Sequence, residues 1–387
     1  MISDSPIKPP TTQSRLPDAV FIHLGESPCS HLWLNLSRTA KLFPDIQTHL
    51  IIDSKVHKKK IPGNVNVIYW EESDSTKDWE QSRDLVFRRG FWKHSINRLF
   101  ALEYFHQILG SIPILHIESD ILLLPNFPWE RISTLGKCYW QPYNSERDVA
   151  SLLFSPNLKT TTELKSKLMQ CLKLNPSHTD MTILREISKV EGRNIGYFPI
   201  LCNDIPELFN KNYEFDKDTI VNRNEKYFAD GIFDSAALGM WLLGHDPRNT
   251  YGKFLLHEDS LITQGQTPVD PRRVTFQVSD EGNLFANSSE EYSPKVPVWS
   301  LHVHSKELSL FDDRWKRTLN KYVSLSKTSP SLITEFRGKA VWSMLRDNVA
   351  TGTPLRFIGG LPFLHKLRFY AYKTRGFLMA SYGKRHK

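Results

Sequence analysis

Two apolar runs stand almost end to end in this chain, Ile114-Leu-His-Ile117 and Ile121-Leu-Leu-Leu-Pro-Asn-Phe127, with only Glu118-Ser119-Asp120 between them. The first run reads as a buried strand. Acids set between two such runs are expensive to bury unless they are paired or bind a metal. The segment therefore restricts the chain to folds in which a central strand ends at a charged cleft, provided that partners for the acids exist elsewhere. Taken singly, the tripeptide is what any loop after a strand can carry.

The flanking sequence points to an α/β fold. Ala19-Val-Phe-Ile-His-Leu-Gly25 is a short apolar strand that stops at glycine, and Ser30 to Phe43 has helical spacing and ends before Pro44. Gln47–Ile52 and Val65–Trp70 are further strands, and Phe91–Leu109 is a long helix with Ile96, Leu99 and Phe100 on one face. The order β-α-β-β followed by helix and strand predicts a largely parallel sheet covered by helices. Between these elements, His57–Lys60 and Glu71–Glu80 read as solvated loops. At 387 residues and 40% hydrophobic, the chain can bury a large core as one main domain plus an appendage.

The acid motif has a chemical use. In an extended chain residues i and i+2 point the same way, so Glu118 and Asp120 can converge on one cation. A hard ion such as Mg²⁺ or Mn²⁺ takes one or two carboxylates and completes its shell with phosphate oxygens and water. An enzyme with a nucleoside diphosphate leaving group needs such an ion. Far along the chain, Val296-Pro-Val-Trp-Ser-Leu301 leads into His302-Val303-His304-Ser305-Lys306. On a strand His302 and His304 share a face, where one imidazole can join the same cation, and Lys306 can set an ammonium against a diphosphate.

An ESD after an apolar strand with a distal HxHSK resembles the GT-A glycosyltransferases, nucleotide-diphospho-sugar transferases, and in particular the retaining glycogenin-like and lipopolysaccharide galactosyltransferase families. In those families an Asp-x-Asp motif and a late histidine hold Mn²⁺ and a nearby lysine contacts the diphosphate. The resemblance spans residues 18–320. It implies a GT-A Rossmann-like mixed, mainly parallel sheet flanked by helices, Asp120 and Glu118 as metal ligands, and His302 or His304 as a third. Ser119 and Lys306 fall on the nucleotide side. It also implies a hexosyltransferase using a nucleotide-sugar, with UDP as the carrier, to extend a glycan or lipid-linked acceptor in polysaccharide biosynthesis, with retention of configuration. The glutamate in the first acidic position departs from the pattern.

Other residues join the candidate site. Asp230-Gly-Ile-Phe-Asp234 through Gly244 reads as a buried helix, apolar on almost every side and stopped by glycine. Asp230 and Asp234 are its candidate catalytic acids, holding donor-sugar hydroxyls or the acceptor, with N-cap and helix-dipole roles as the structural alternative. The following turn, His245-Asp246-Pro247-Arg248-Asn249, is expected to line the same cleft. Lys93 and Arg98 precede the acidic strand and can reach nucleotide phosphates. His23 and Gly25 end the first strand, where nucleotide sites of α/β sheets open.

Charge divides the chain unevenly. Residues 331–387 carry eleven Lys or Arg against only Glu335 and Asp347, while the whole chain is formally +8, so residues 1–330 are close to neutral. We expect a disordered segment at 1–17, the catalytic domain at 18–325, a linker at 326–331 and a basic, amphipathic helical tail at 332–387. The tail suits peripheral contact with an anionic membrane, and the neutral body argues against nucleic acid as a partner. Cys29, Cys138, Cys171 and Cys202 are widely spaced, as thiols in a reducing compartment are. With no apolar leader and no run of membrane-spanning length, a cytoplasmic location at the inner membrane face is expected. The competing expectation is a non-catalytic protein that keeps the fold and uses its tail to bind membrane or nucleic acid.

Overall fold

The structure, a computed structural model, describes residues 15–25, 28–53, 61–70, 91–211, 213, 228–246, 267–288 and 294–326. The two charged loops, residues 247–249, the expected linker beyond Ser326 and the basic tail lie outside the described residues. In chain order the elements are β1 (Asp18–His23), α1 (Ser30–Leu42), β2 (Thr48–Ile52), β3 (Val65–Tyr69), α2 (Phe91–Leu109), β4 (Ile114–Ile117), β5 (Ile121–Leu123) and α3 (Trp129–Ser133). They continue with β6 (Tyr139–Pro142), β7 (Asp148–Ser155), α4 (Leu158–Leu174), α5 (Asp180–Glu191), β8 (Gly196–Tyr197), β9 (Ile232–Phe233) and α6 (Ala237–Leu243). β10 (Val274–Val278), β11 (Leu284–Ser288), β12 (Val296–His302) and α7 (Trp315–Ser326) complete them.

Seven strands form the main sheet in the order β3-β2-β1-β4-β7-β6-β8. β1 runs parallel to both β2 and β4, and β7 runs antiparallel to β4 and β6. The result is a mixed α/β architecture whose central sheet is mainly parallel. Alternation along β1 explains its place at the centre: Ala19 and Phe21 pack in one apolar layer with Leu32 and Leu36 of α1, and Val20 and Ile22 in another with Ile96, Leu99 and Phe100 of α2. Each large side chain buried this way contributes roughly 1.5–3 kcal/mol, enough to fix which strands are internal.

From β1 the chain builds β2 and β3 on one side and then returns to place β4 on the other. The carboxyl ends of β1 and β4 thus flank a point where strand order reverses, the position at which open α/β sheets form ligand crevices. After β4 the chain leaves this sheet. Glu118-Ser119-Asp120 is the crossing, closed by a hydrogen bond from the Ile121 amide to the Glu118 carbonyl at 3.1 Å, and β5 then joins a second sheet in the order β10-β11-β12-β5. β12 runs antiparallel to β5, with His302 opposite Ile121.

Two local expectations are corrected. Residues 230–244 are not one helix: Ile232–Phe233 pair with β12 as β9, and only Ala237–Leu243 are helical. The segment from Gly231 to Leu243 is buried throughout, so its apolar residues show no period that separates strand from helix. The second concerns His302 to Lys306, which is not continuous strand. β12 ends at His302 and the chain turns, with the Lys306 amide bonded to the Val303 carbonyl at 3.0 Å and Lys306 itself at φ 55°. A left-handed residue cannot continue a strand. Among the described residues no helix is long and apolar enough to cross a membrane, and none of the four cysteines forms a disulfide.

Candidate active site

The acid pair is held by α1. Asn35, fully buried in that helix, donates from Nδ2 to the carbonyls of Ser119 at 3.1 Å and Ile121 at 2.7 Å. One turn earlier, His31 Nε2 meets Ser119 Oγ at 3.2 Å and Cys29 Sγ at 2.9 Å. The acidic segment is therefore a turn pinned from above rather than an extended chain. Nevertheless its two carboxylates and one imidazole come together: a donor atom from each of Glu118, Asp120 and His302 lies within 4.8 Å of the others.

Strand pairing brings His302 there. Its backbone amide donates to Asp234 Oδ2 at 3.0 Å, and its Nδ1 lies 3.2 Å from the Ser235 carbonyl. A carbonyl only accepts, so Nδ1 carries a hydrogen. Nε2 faces Asp120 Oδ2 at 3.0 Å, a contact satisfied by a proton or by a cation held between the two atoms. The donor set of two carboxylate oxygens and one imidazole nitrogen suits a Mn²⁺ or Mg²⁺ ion.

Two side-chain cations neutralise the acids. Arg98, from α2, pairs with Glu118 Oε1 through Nη1 at 2.7 Å and reaches Asp180 Oδ2 through Nη2 at 3.7 Å. Lys306 Nζ pairs with Asp120 Oδ2. Burial alone would raise the Glu118 carboxyl, but Arg98 first, then His302, His116 and Lys306, hold it down at about 2. His304 leaves the strand yet stacks on His302 with ring centroids 4.0 Å apart. Its Nε2 has no hydrogen-bond partner, and burial keeps its imidazole neutral well below the usual range.

The remaining sequence-chosen residues divide. His23 and Gly25 lie at the carboxyl end of β1. Burial lowers His23 to about 4, with Asp53 opposing and His94 and Arg98 reinforcing. Gly25, at φ 116°, donates its amide to Asp53 Oδ2 at 2.9 Å, and a Cβ there would meet His94 at 3.3 Å. Lys93 is half-buried in the first turn of α2. Asp234 is buried and accepts four backbone amides, those of Ala236, Leu238, Gly239 and His302, so it ties α6 to the end of β12. Burial raises its carboxyl despite these bonds. Asp230 sits at the surface in a two-pronged ion pair with Arg131 rather than with the acid cluster.

Sequence reasoning missed Asn35, His31, Ser235 and Asp180. A signal existed for the first two: His31, Asn35 and Thr39 recur every four residues along a helix whose other buried residues, Arg38 apart, are apolar, and Thr39 Oγ1 lies 3.5 Å from Asn35 Oδ1. Ser235 acts only through its backbone and leaves no residue-type signal. A separate cleft of about 320 Å³ opens between α4 and residues 191–195, lined by Lys137, Thr160, Glu163, Lys167 and Arg193. Its charges are partly internal, with Lys167 on Glu191 at 2.7 Å, and it contains none of the acid cluster.

No protein-family model matches the chain and no curated protein does. Among solved structures, it is similar to the galactosyltransferase LgtC in complex with donor and acceptor sugar analogues, at 14% identity and a TM-score of 0.38, over 83% of this chain and 99% of that one. An active-site mutant of LgtC aligns over 49% of this chain and 74% of its own, at 14% identity and a TM-score of 0.34. The apo-form glycosyltransferase GlyE of Streptococcus pneumoniae TIGR4 aligns over 47% and 45%, at 11% and 0.28. These are distant likenesses of backbone course, and the chemistry rests on the side chains.

Proposed function

We propose that the chain is a metal-dependent glycosyltransferase of the GT-A type, moving a hexosyl group from a nucleoside diphosphate donor to a glycan or lipid-linked acceptor. The observation that carries this reading is the facing of His302 Nε2 and Asp120 Oδ2 at 3.0 Å, with Glu118 in reach, at the strand-order reversal of an α/β sheet. An imidazole nitrogen and two carboxylates held so close fit a divalent cation. Glu118, Asp120 and His302 would hold Mn²⁺ or Mg²⁺, which on binding would offset charge on the departing diphosphate. His304 stacks behind His302 and remains neutral.

The other residues take roles around that centre. Lys306 is released from Asp120 to meet the diphosphate as an ammonium partner. Arg98, Lys93, Ser119, His23 and Gly25 border the nucleotide side, at the carboxyl ends of β1 and β4. Asp234 positions His302 through its backbone, and we keep Asp230 as a more distant candidate for contact with the acceptor. UDP as the nucleotide, retention of configuration and attachment of the basic tail to an anionic membrane at the cytoplasmic face belong to the same reading and rest on the sequence resemblance and tail composition.

Titration calorimetry of UDP with and without Mn²⁺, on the wild type and on Asp120→Ala, tests the reading. Binding should require Mn²⁺ and fall at least tenfold in the variant. UDP binding indifferent to both metal and substitution overturns it. A screen of nucleotide-sugars for diphosphate release then identifies the donor, and turnover excludes a purely non-catalytic role.

A further inference from the structure

Arg98 stands between two carboxylates that belong to different elements. Its Nη1 is 2.7 Å from Glu118 at the end of β4, and its Nη2 is 3.7 Å from Asp180, the first residue of α5. The first distance is a charge-assisted hydrogen bond and the second is only an electrostatic contact. Asp180 is 6% exposed, and its Oδ1 has no hydrogen-bond partner. A buried carboxylate with spare acceptor capacity thus lies about one ångström too far from a guanidinium that is engaged elsewhere.

That near miss has a use if a divalent cation enters among Glu118, Asp120 and His302. The cation needs Glu118, whose Oε1 is now bonded to Arg98, and it repels the guanidinium. Arg98 has to leave Glu118 without being stranded, because an unpaired buried charge is strongly unfavourable. A shift of about one ångström toward Asp180 converts the 3.7 Å contact into a hydrogen bond and frees Glu118.

We propose that Asp180 is a positioning residue for the cation site: it receives Arg98 when metal binds, and so sets how available Glu118 is to the ion. This rests on the metal-dependent reading above. No atom of Asp180 touches the cation; it acts through Arg98. Residues that orient metal ligands from outside the coordination shell typically change metal affinity 10- to 100-fold when altered.

The test is Mn²⁺ affinity of the full chain, measured by calorimetry without nucleotide, together with the melting temperature of each variant. Asp180→Asn is nearly isosteric and should weaken Mn²⁺ about tenfold at an unchanged melting temperature, while Asp180→Glu restores most of the affinity. In an Arg98→Gln background, Asp180→Asn should have no further effect, since the residue it receives is gone. Wild type that binds no Mn²⁺ overturns both the metal reading and this proposal. Wild type that binds, with Asp180→Asn equal to it, overturns only the proposal, as does an equal loss in the Arg98→Gln background. Should Asp180→Asn fail to fold, Arg98→Gln alone decides: binding at least as tight as wild type supports competition by Arg98, and weaker binding overturns it.

Discussion

The backbone amide of His302 donates to Asp234 Oδ2 at 3.0 Å, and the same oxygen accepts the amide of Gly239 at 2.7 Å. One carboxylate thereby fixes the spacing between α6 and the end of β12. The contact leaves no room at Gly239, where a Cβ would stand 1.9 Å from the His302 carbonyl oxygen and 2.8 Å from Asp234 Oδ2. Glycine is required there by close approach, not by backbone conformation.

Gly239→Ala should therefore push α6 off β12 and destabilise the protein by about 1–3 kcal/mol, the usual range for overpacking. Because the displaced group is the backbone of a candidate metal ligand, Mn²⁺ affinity should fall with stability. Asp234→Asn replaces one acceptor oxygen by a donor and, since each oxygen accepts two amides, leaves two buried amides unpaired, a loss of about 1–3 kcal/mol for each. Urea denaturation and calorimetry on both variants check this. A Gly239→Ala protein as stable as wild type would mean that the two elements separate freely.

Lys306 gives a prediction with opposite signs for two ligands. Its ammonium is paired with Asp120 in the absence of ligand. Lys306→Met removes a cation that competes for the carboxylate and one that would meet the diphosphate. Mn²⁺ alone should bind more tightly to the variant, while UDP in the presence of saturating Mn²⁺ should bind about tenfold more weakly, the scale of one lost charge-assisted contact of about 1.5 kcal/mol. Loss of both affinities together would show Lys306 to be structural.

Histidines that desolvation holds below their usual range, His245 and His304 among them, set the response to acid. Burial lowers His23, His106 and His116 from 6.5 to about 4. The unfolded chain takes up their protons near pH 6.5 while the folded chain resists until about pH 4, so stability falls as pH drops through that window, by up to about 1.4 kcal/mol per pH unit for each. Glu118 acts lower down: held at about 2 against 4.5, it stabilises fully above pH 4.5 and loses that contribution as pH falls toward 2. Denaturation free energies at pH 7.5, 6 and 5 should decline steadily, and His106→Gln should decline less steeply than wild type. Equal slopes would remove burial of His106 as a cause.

The strands β1 to β4 and the helices α1 and α2 were legible in the sequence because each encodes its environment locally. Ala19 to Ile22 and Ile114 to Ile117 are buried on both faces and read as continuous apolar runs, and α2 has the bounds that its spacing predicts, Phe91 to Leu109. The acid motif was legible too, since carboxylates between apolar runs demand a partner. Which of His302 and His304 joins the acids, the sequence left open. His302 reaches Asp120 across 182 positions only because β12 pairs with β5 in a register that sets His302 opposite Ile121. The division of residues 230–244 into strand and helix, the turn that carries Lys306 back to Asp120, and the sharing of Arg98 between Glu118 and Asp180 were likewise decided in three dimensions. Periodicity reports how a segment meets its own neighbours along the chain; which distant segment completes a charge or a hydrogen bond depends on sheet register and packing, and these are properties of the whole fold.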